Sequence, residues 1–236
     1  MAAASPKAAP IPGRFVYNKT LLNSGGGKGS LGHMTITLHK GDLPKNIDLG
    51  KTVAVDTEAM GLKNHRDRLC LVQLSAGDGN AHLVQIMPGK YDAPNLKKLL
   101  GDQKVAKIFH FARFDYAILK HYLDIDCTPL FCTRIASMLC RTFTDKHGLR
   151  ELCKELLNVE ISKQQQSSDW GAAELTQEQL TYAANDVLYL HSIKDILEQI
   201  LEREGRTALA AQTMSFIPTR AALDLEGWAE VDIFAH

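Results

Sequence analysis

Four carboxylates and one phenol are spaced so that they suit the binding of hard divalent cations. In Val-Ala-Val-Asp-Thr-Glu (residues 53–58), strand alternation sends Asp56 and Glu58 to one face and Val53 and Val55 to the other. Two carboxylates that close repel, which raises a pKa unless a cation lies between them. Oxygen donors at this spacing favour Mg2+ or Mn2+ over zinc. Asp115 falls in the first turn of a helix that follows an apolar strand ending at His110. Tyr182 and Asp186 stand four residues apart, one turn along a single helix face. Each element alone has an ordinary explanation: an acidic loop after a strand, an acid favoured by a helix dipole, a tyrosine in an apolar stripe. Together they supply four carboxylates and one phenol.

The elements that must position these groups follow from the hydrophobic pattern. Thr35–His39 alternates, as a half-buried strand does. Strands are expected at 52–58, 69–75 and 81–87 as a meander, the last two separated by the turn-forming Ala-Gly-Asp-Gly-Asn, with a further strand at 104–110. Helices are expected at 95–100, from near Arg113, at 132–141 and 147–157, and in one long stretch at 176–204. In the last, Leu180, Val187, Leu190 and Leu197 form the apolar stripe; Phe114, Ile118, Leu119 and Tyr122 do so in the helix after Arg113. Strands first, then alternating helix and strand, then helices, indicate an α/β layer fold with a mixed central sheet flanked by helices.

The chain has 236 residues, enough for one such domain. Its 27 basic and 27 acidic residues cancel, which argues against a charge-driven nucleic-acid binder but not against an enzyme whose ions supply the positive charge. No apolar run approaches the ~18 residues of a membrane span, so a soluble protein with no membrane partner is expected. Five cysteines without a CxxC pair read as isolated buried thiols in a reducing cytoplasm. Residues 1–34 carry four basic residues and no acid, leaving 23 basic against 27 acidic in the rest. Residues 1–33, Ala/Pro-rich and then Gly/Ser-rich, read as a flexible tail (a tag, a linker or a mis-assigned start), and 34–236 as the domain.

The ordered set Asp56-x-Glu58, Asp115 and Tyr182-x-x-x-Asp186 resembles the DEDD superfamily of 3′–5′ exonucleases, in its tyrosine-bearing DEDDy branch typified by RNase D. Ser-Ser-Asp-Trp (167–170) and the helix carrying Tyr182 look especially like RNase D. Through VDTEAMGL, NHRDRLCLVQLS, TDKHGLRELC, ISKQQQSSDW and GWAEVDIFAH, residues 34–236 resemble the small bacterial nanoRNase C group. The resemblance implies an RNase H-like fold and a two-metal-ion 3′–5′ exoribonuclease that hydrolyses very short RNAs, chiefly dinucleotides, to 5′-mononucleotides. It implies that Asp56, Glu58 and Asp186 hold one Mg2+ or Mn2+, that Asp56 and Asp115 hold the second, and that Tyr182 orients the attacking water. Leu62, after Met60 and Gly61, matches the family's apolar wedge between bases. His110, Arg113 and Phe114 stand beside Asp115 as further substrate contacts. Arg141, Lys146, His147, Lys163 and Gln166 are candidates to cap a 5′ phosphate. The group also implies a cytoplasmic homo-octamer, with Trp228, Ile233 and Phe234 placed to pack on the domain or on a neighbouring subunit. Two other readings stay open: a broader RNase D-like exonuclease trimming RNA 3′ ends or degrading DNA, and a non-catalytic RNA-binding protein on the same fold.

Overall fold

The structure, a computed structural model, describes residues 14–20, 33–162 and 164–236. The strands are β1 (Arg14–Thr20), β2 (His33–Lys40), β3 (Thr52–Ala59), β4 (Leu69–Ser75), β5 (Asn80–Gln85), β6 (Ala106–Phe109) and β7 (Leu130–Cys132). They form one seven-stranded sheet in the order β1-β2-β5-β4-β3-β6-β7. The expected meander is there: β3, β4 and β5 pair antiparallel in succession. On either side of it β2 joins β5, and β6 joins β3, in parallel. A mixed sheet results.

Alternation divides the core into two layers. On one face Ala54, Leu71, Leu83, Ile36 and Leu38 pack beneath α5 (Gln177–Leu188) through Leu180, Ala183, Ala184 and Val187. On the other face Val53, Val55, Val72, Leu74 and Val84 pack with α1 (Pro94–Gly101), through Leu96 and Leu100. The same layer includes Ala117 and Ile118 of α2 (Ala112–Leu123). Beyond β7, α3 (Thr133–Cys140), α4 (Leu149–Leu157), α6 (Leu190–Arg203), α7 (Thr207–Ser215) and α8 (Ile217–Leu223) complete the chain before a wide turn at Asp224–Trp228.

The structure departs from the pattern reading in three places. The single helix expected over 176–204 is two, meeting at Tyr189. Its first half serves the layer that holds Leu180 and Val187, its second the layer that holds Ile193 and Leu197, and one straight rod cannot serve both. The three-residue β7 and the helices α7 and α8 went unforeseen, too short or too weakly patterned to announce themselves. Arg14–Thr20, assigned to the flexible tail, runs antiparallel to β2 from Arg14 opposite His39 to Thr20 opposite His33. Its β-prone Phe-Val-Tyr finds the unpaired backbone groups that the edge of β2 offers. The rest of the expected tail up to Gly32 lies outside the described residues.

Candidate active site

β3 carries the first two acids to the sheet centre, where a bulge between Glu58 and Ala59 ends its regular pairing with β4. α5 brings Tyr182 and Asp186, and α2 brings Asp115. A capping box fixes the start of α5: Gln179 N–H donates to Thr176 Oγ1 at 3.3 Å, and Thr176 N–H donates to Gln179 Oε1 at 2.8 Å. Asp56, Glu58 and Asp186 each present a carboxylate oxygen so that all three lie within 4.8 Å of one another. Tyr182 donates its phenol to Asp186, and its ring lies 6.0 Å from that of Trp170, tilted by 40°. Trp170 is itself 3% exposed, so it backs the phenol from the protein side.

Asp115 enters from the opposite face of β3. It accepts a 2.6 Å hydrogen bond from Thr57 Oγ1, the side chain between the two β3 acids, and it lies outside the three-acid cluster. Gln73, which faces Asp56 across β4, donates to Asp56 Oδ2 at 3.2 Å. Burial pushes these acids up, and for Asp56, Glu58 and Asp186 repulsion from neighbouring acids adds to it. Asp56 stands well above the ordinary carboxylate range, pushed first by burial and then by Asp115, Asp186 and Glu58. Glu58 rises to about 9, Asp115 to about 7 and Asp186 to about 7, burial being the leading cause each time. Burial and the neighbouring acids raise the Tyr182 phenol too, so it holds its proton. Three clustered oxygen donors that repel one another are the donor set a hard divalent cation suits, since the ion removes the repulsion.

Asp56, Glu58, Tyr182 and Asp186 line a cleft of about 800 Å³. Met60, Gly61, Leu62, His110, Phe114 and Gln166, all named as candidate substrate contacts, line it. Leu62 is 87% exposed at the tip of a loop that Asp67 ties down, accepting from Lys63 N–H at 3.0 Å and from Arg66 Nε at 2.6 Å. Gly61 has a steric reason: a Cβ there would meet Asp67 Oδ2 at 2.3 Å. His110 Nδ1 lies 2.9 Å from Thr133 Oγ1, whose hydroxyl donates to Phe109 O, so Nδ1 is the donor of that pair.

Arg113 is a correction. It turns out of the cleft and forks onto Asp224, at 2.6 Å from Nε and 2.8 Å from Nη2, because α2 packs against α8 and the turn beyond it. Arg141 also fails as a phosphate cap: it is 2% exposed, bonded to Ser137, the Lys146 carbonyl and Glu155. Lys146 and His147 do not line the cleft, His147 being engaged with Ser137. Lys163 lies outside the described residues.

Sequence reasoning passed over Thr57, Gln73, Trp170, Phe111, Arg134 and Arg150. Register supplies the missing signal. Gln73 is read off the β3–β4 pairing, and Arg134 follows a β7 that pairs Cys132 with Phe109, next to His110 and Phe111. No pattern in three residues shows such a strand. Phe111 adopts φ 98°, ψ 47°, a left-handed conformation that costs a bulky residue about 1–3 kcal/mol.

Residues 42–202, more than half of the chain, match the family model described as 3′-5′ exonuclease. The chain belongs to this 3′–5′ exonuclease family. Within it, the chain is 36% identical over 165 residues to ribonuclease D of Gluconacetobacter diazotrophicus, covering 70% of this chain and 42% of that one. The chain therefore spans less than half the length of that curated relative. Brucella melitensis NrnC bound to pGG is 58% identical with a TM-score of 0.83, covering 86% of this chain and 99% of the other. The same Brucella protein with bound Mg2+ is 57% identical with a TM-score of 0.82, covering 85% and 98%. The exonuclease family's RNase H-like fold, a mixed sheet between helices, is the fold described above.

Proposed function

We propose that this member of the 3′–5′ exonuclease family is a metal-dependent exoribonuclease that hydrolyses very short RNAs, chiefly dinucleotides, to 5′-mononucleotides. The observation that carries it is the convergence of Asp56, Glu58 and Asp186 in one cleft, with Asp115 on the other side of β3 and Tyr182 bonded to Asp186. Asp56, Glu58 and Asp186 would hold one divalent ion, Mg2+ or Mn2+, and by the family resemblance Asp56 with Asp115 would hold a second. Bound there, such ions neutralise charge on the phosphate and lower the pKa of a water.

The side chains do the rest. Gln73 and Thr57 hold Asp56 and Asp115 in place by hydrogen bonds to one oxygen of each. Tyr182, protonated and bonded to Asp186, positions the attacking water rather than removing its proton. Leu62 meets a base face without reading its identity. The Brucella relative's pGG, two guanosines behind one 5′ phosphate, supports a dinucleotide as substrate, and its bound Mg2+ supports the ion.

A time course on 5′-labelled RNAs of two, five and twenty nucleotides tests this reading. The dinucleotide should disappear fastest, with mononucleotide as product. No cleavage with either Mg2+ or Mn2+ overturns the enzyme, and equal rates on all three lengths favour the broader exonuclease.

A further inference from the structure

We infer that Phe111 and Arg134 together form a platform on which one base of the substrate stacks, an assignment that rests on the nuclease reading above. The chain bends sharply between β6 and α2, and Phe111 makes the bend at φ 98°, ψ 47°. Glycine or asparagine would turn there with little strain. Phenylalanine is strained, and its ring does not repay the strain by packing, since the residue is 50% exposed. A bulky residue kept in left-handed backbone with its ring in the open points to use of the ring itself.

Arg134 gives the second, independent observation. Its guanidinium carbon lies 5.4 Å from the Phe111 ring centroid. The cleft it lines is rich in carboxylates, yet its side chain makes no hydrogen bond or ion pair among the described residues. A planar cation backs one face of the ring by a cation–π contact and keeps its N–H donors for a ligand. Both residues line the cleft that holds Asp56, Glu58 and Asp186. The pairing of β6 with β7 brings them together. Stacking on such a ring tolerates any base, while the guanidinium attracts the phosphate beside it.

The test pairs changes in the protein with changes in the substrate. Wild type, Phe111→Gly, Phe111→Asn and Phe111→Tyr are assayed with Mg2+ on pGG and on two analogues lacking either the 5′ or the 3′ base. Thermal melting of each variant checks the fold. Wild type should lose about tenfold in kcat/KM when the stacked base is deleted. Phe111→Gly should melt no lower than wild type, show a KM on pGG raised about tenfold, and be indifferent to deletion of that base. Phe111→Asn should behave alike, Phe111→Tyr should keep the wild-type response, and Arg134→Met should raise KM severalfold. If the Gly and Asn variants respond to both base deletions as wild type does, the platform is overturned. If wild type itself leaves pGG uncleaved, the nuclease reading fails first, and the two failures are told apart.

Discussion

At the scale of single residues, the acids of the cleft are held against their own repulsion, and that has a consequence for stability. Asp56→Asn removes one charge from the cluster and keeps the shape. We expect it to abolish cleavage and at the same time to raise the melting temperature of the metal-free protein by a few degrees; a fall in melting temperature contradicts the mutual repulsion. Acidity should show the same balance. Folded-state pKa values raised above the ordinary carboxylate value near 4 give stability that is full below that value and is lost as pH rises through about 7 for Asp115 and Asp186 and about 9 for Glu58. The metal-free wild type should therefore lose melting temperature from about pH 5 to about pH 9 relative to Asp56→Asn. Mg2+ should restore more at the alkaline end. A gain from Mg2+ that is the same at both ends would contradict it. Asp56, Glu58, Asp115, Tyr182 and Asp186 were legible as an ordered set and through the family resemblance that set carries, not one by one. Thr57 and Gln73 were not, because a neutral residue acquires its role only from the partner that folding puts opposite it.

At the scale of elements, what the sequence concealed is mostly a matter of pairing. Lys107, in β6, is fully buried, which nothing in its sequence neighbourhood announces. Its ammonium donates to the carbonyls of Asp102 at 3.0 Å, Val105 at 2.7 Å and Thr128 at 2.6 Å. It thereby ties the turn before β6 to the approach to β7, the pair of strands behind Phe111 and Arg134. Lys107→Met removes the ammonium from three carbonyls, of which that of Asp102 keeps the Val105 N–H, and should cost about 2–4 kcal/mol in urea unfolding; a cost below half a kcal/mol would mean that water replaces the ammonium. The helix boundary at Tyr189 was hidden for a related reason. A continuous 3.6-residue stripe predicts that a face is buried but not that its two ends are buried against different layers. The long strands, each with a strong period, were read within a few residues of their limits, whereas α5 was read correctly only at its start.

At the scale of the whole molecule, Trp228, Val231, Ile233 and Phe234 are between 44% and 76% exposed beyond α8, and Phe234 rests on Phe216. Exposed apolar side chains gathered at one end of a chain are costly in water and mark a contact surface. The family resemblance would make the partner a second copy, within a homo-octamer. Light scattering of the purified protein should give eight chains per particle, and Trp228→Asp with Phe234→Asp should lower that number; a monomer at micromolar concentration would contradict the assembly. Another property of the whole follows from β3. Asp56 and Glu58 look toward α5 while Thr57 looks toward Asp115, so neighbours on a single central strand serve both sides of the sheet. One inserted residue upstream of Asp56 would exchange the two sides, burying charges where valines belong and turning valines to the ions. Insertions in the loops leave this register untouched, whereas the strand beneath the cleft can change only by substitution.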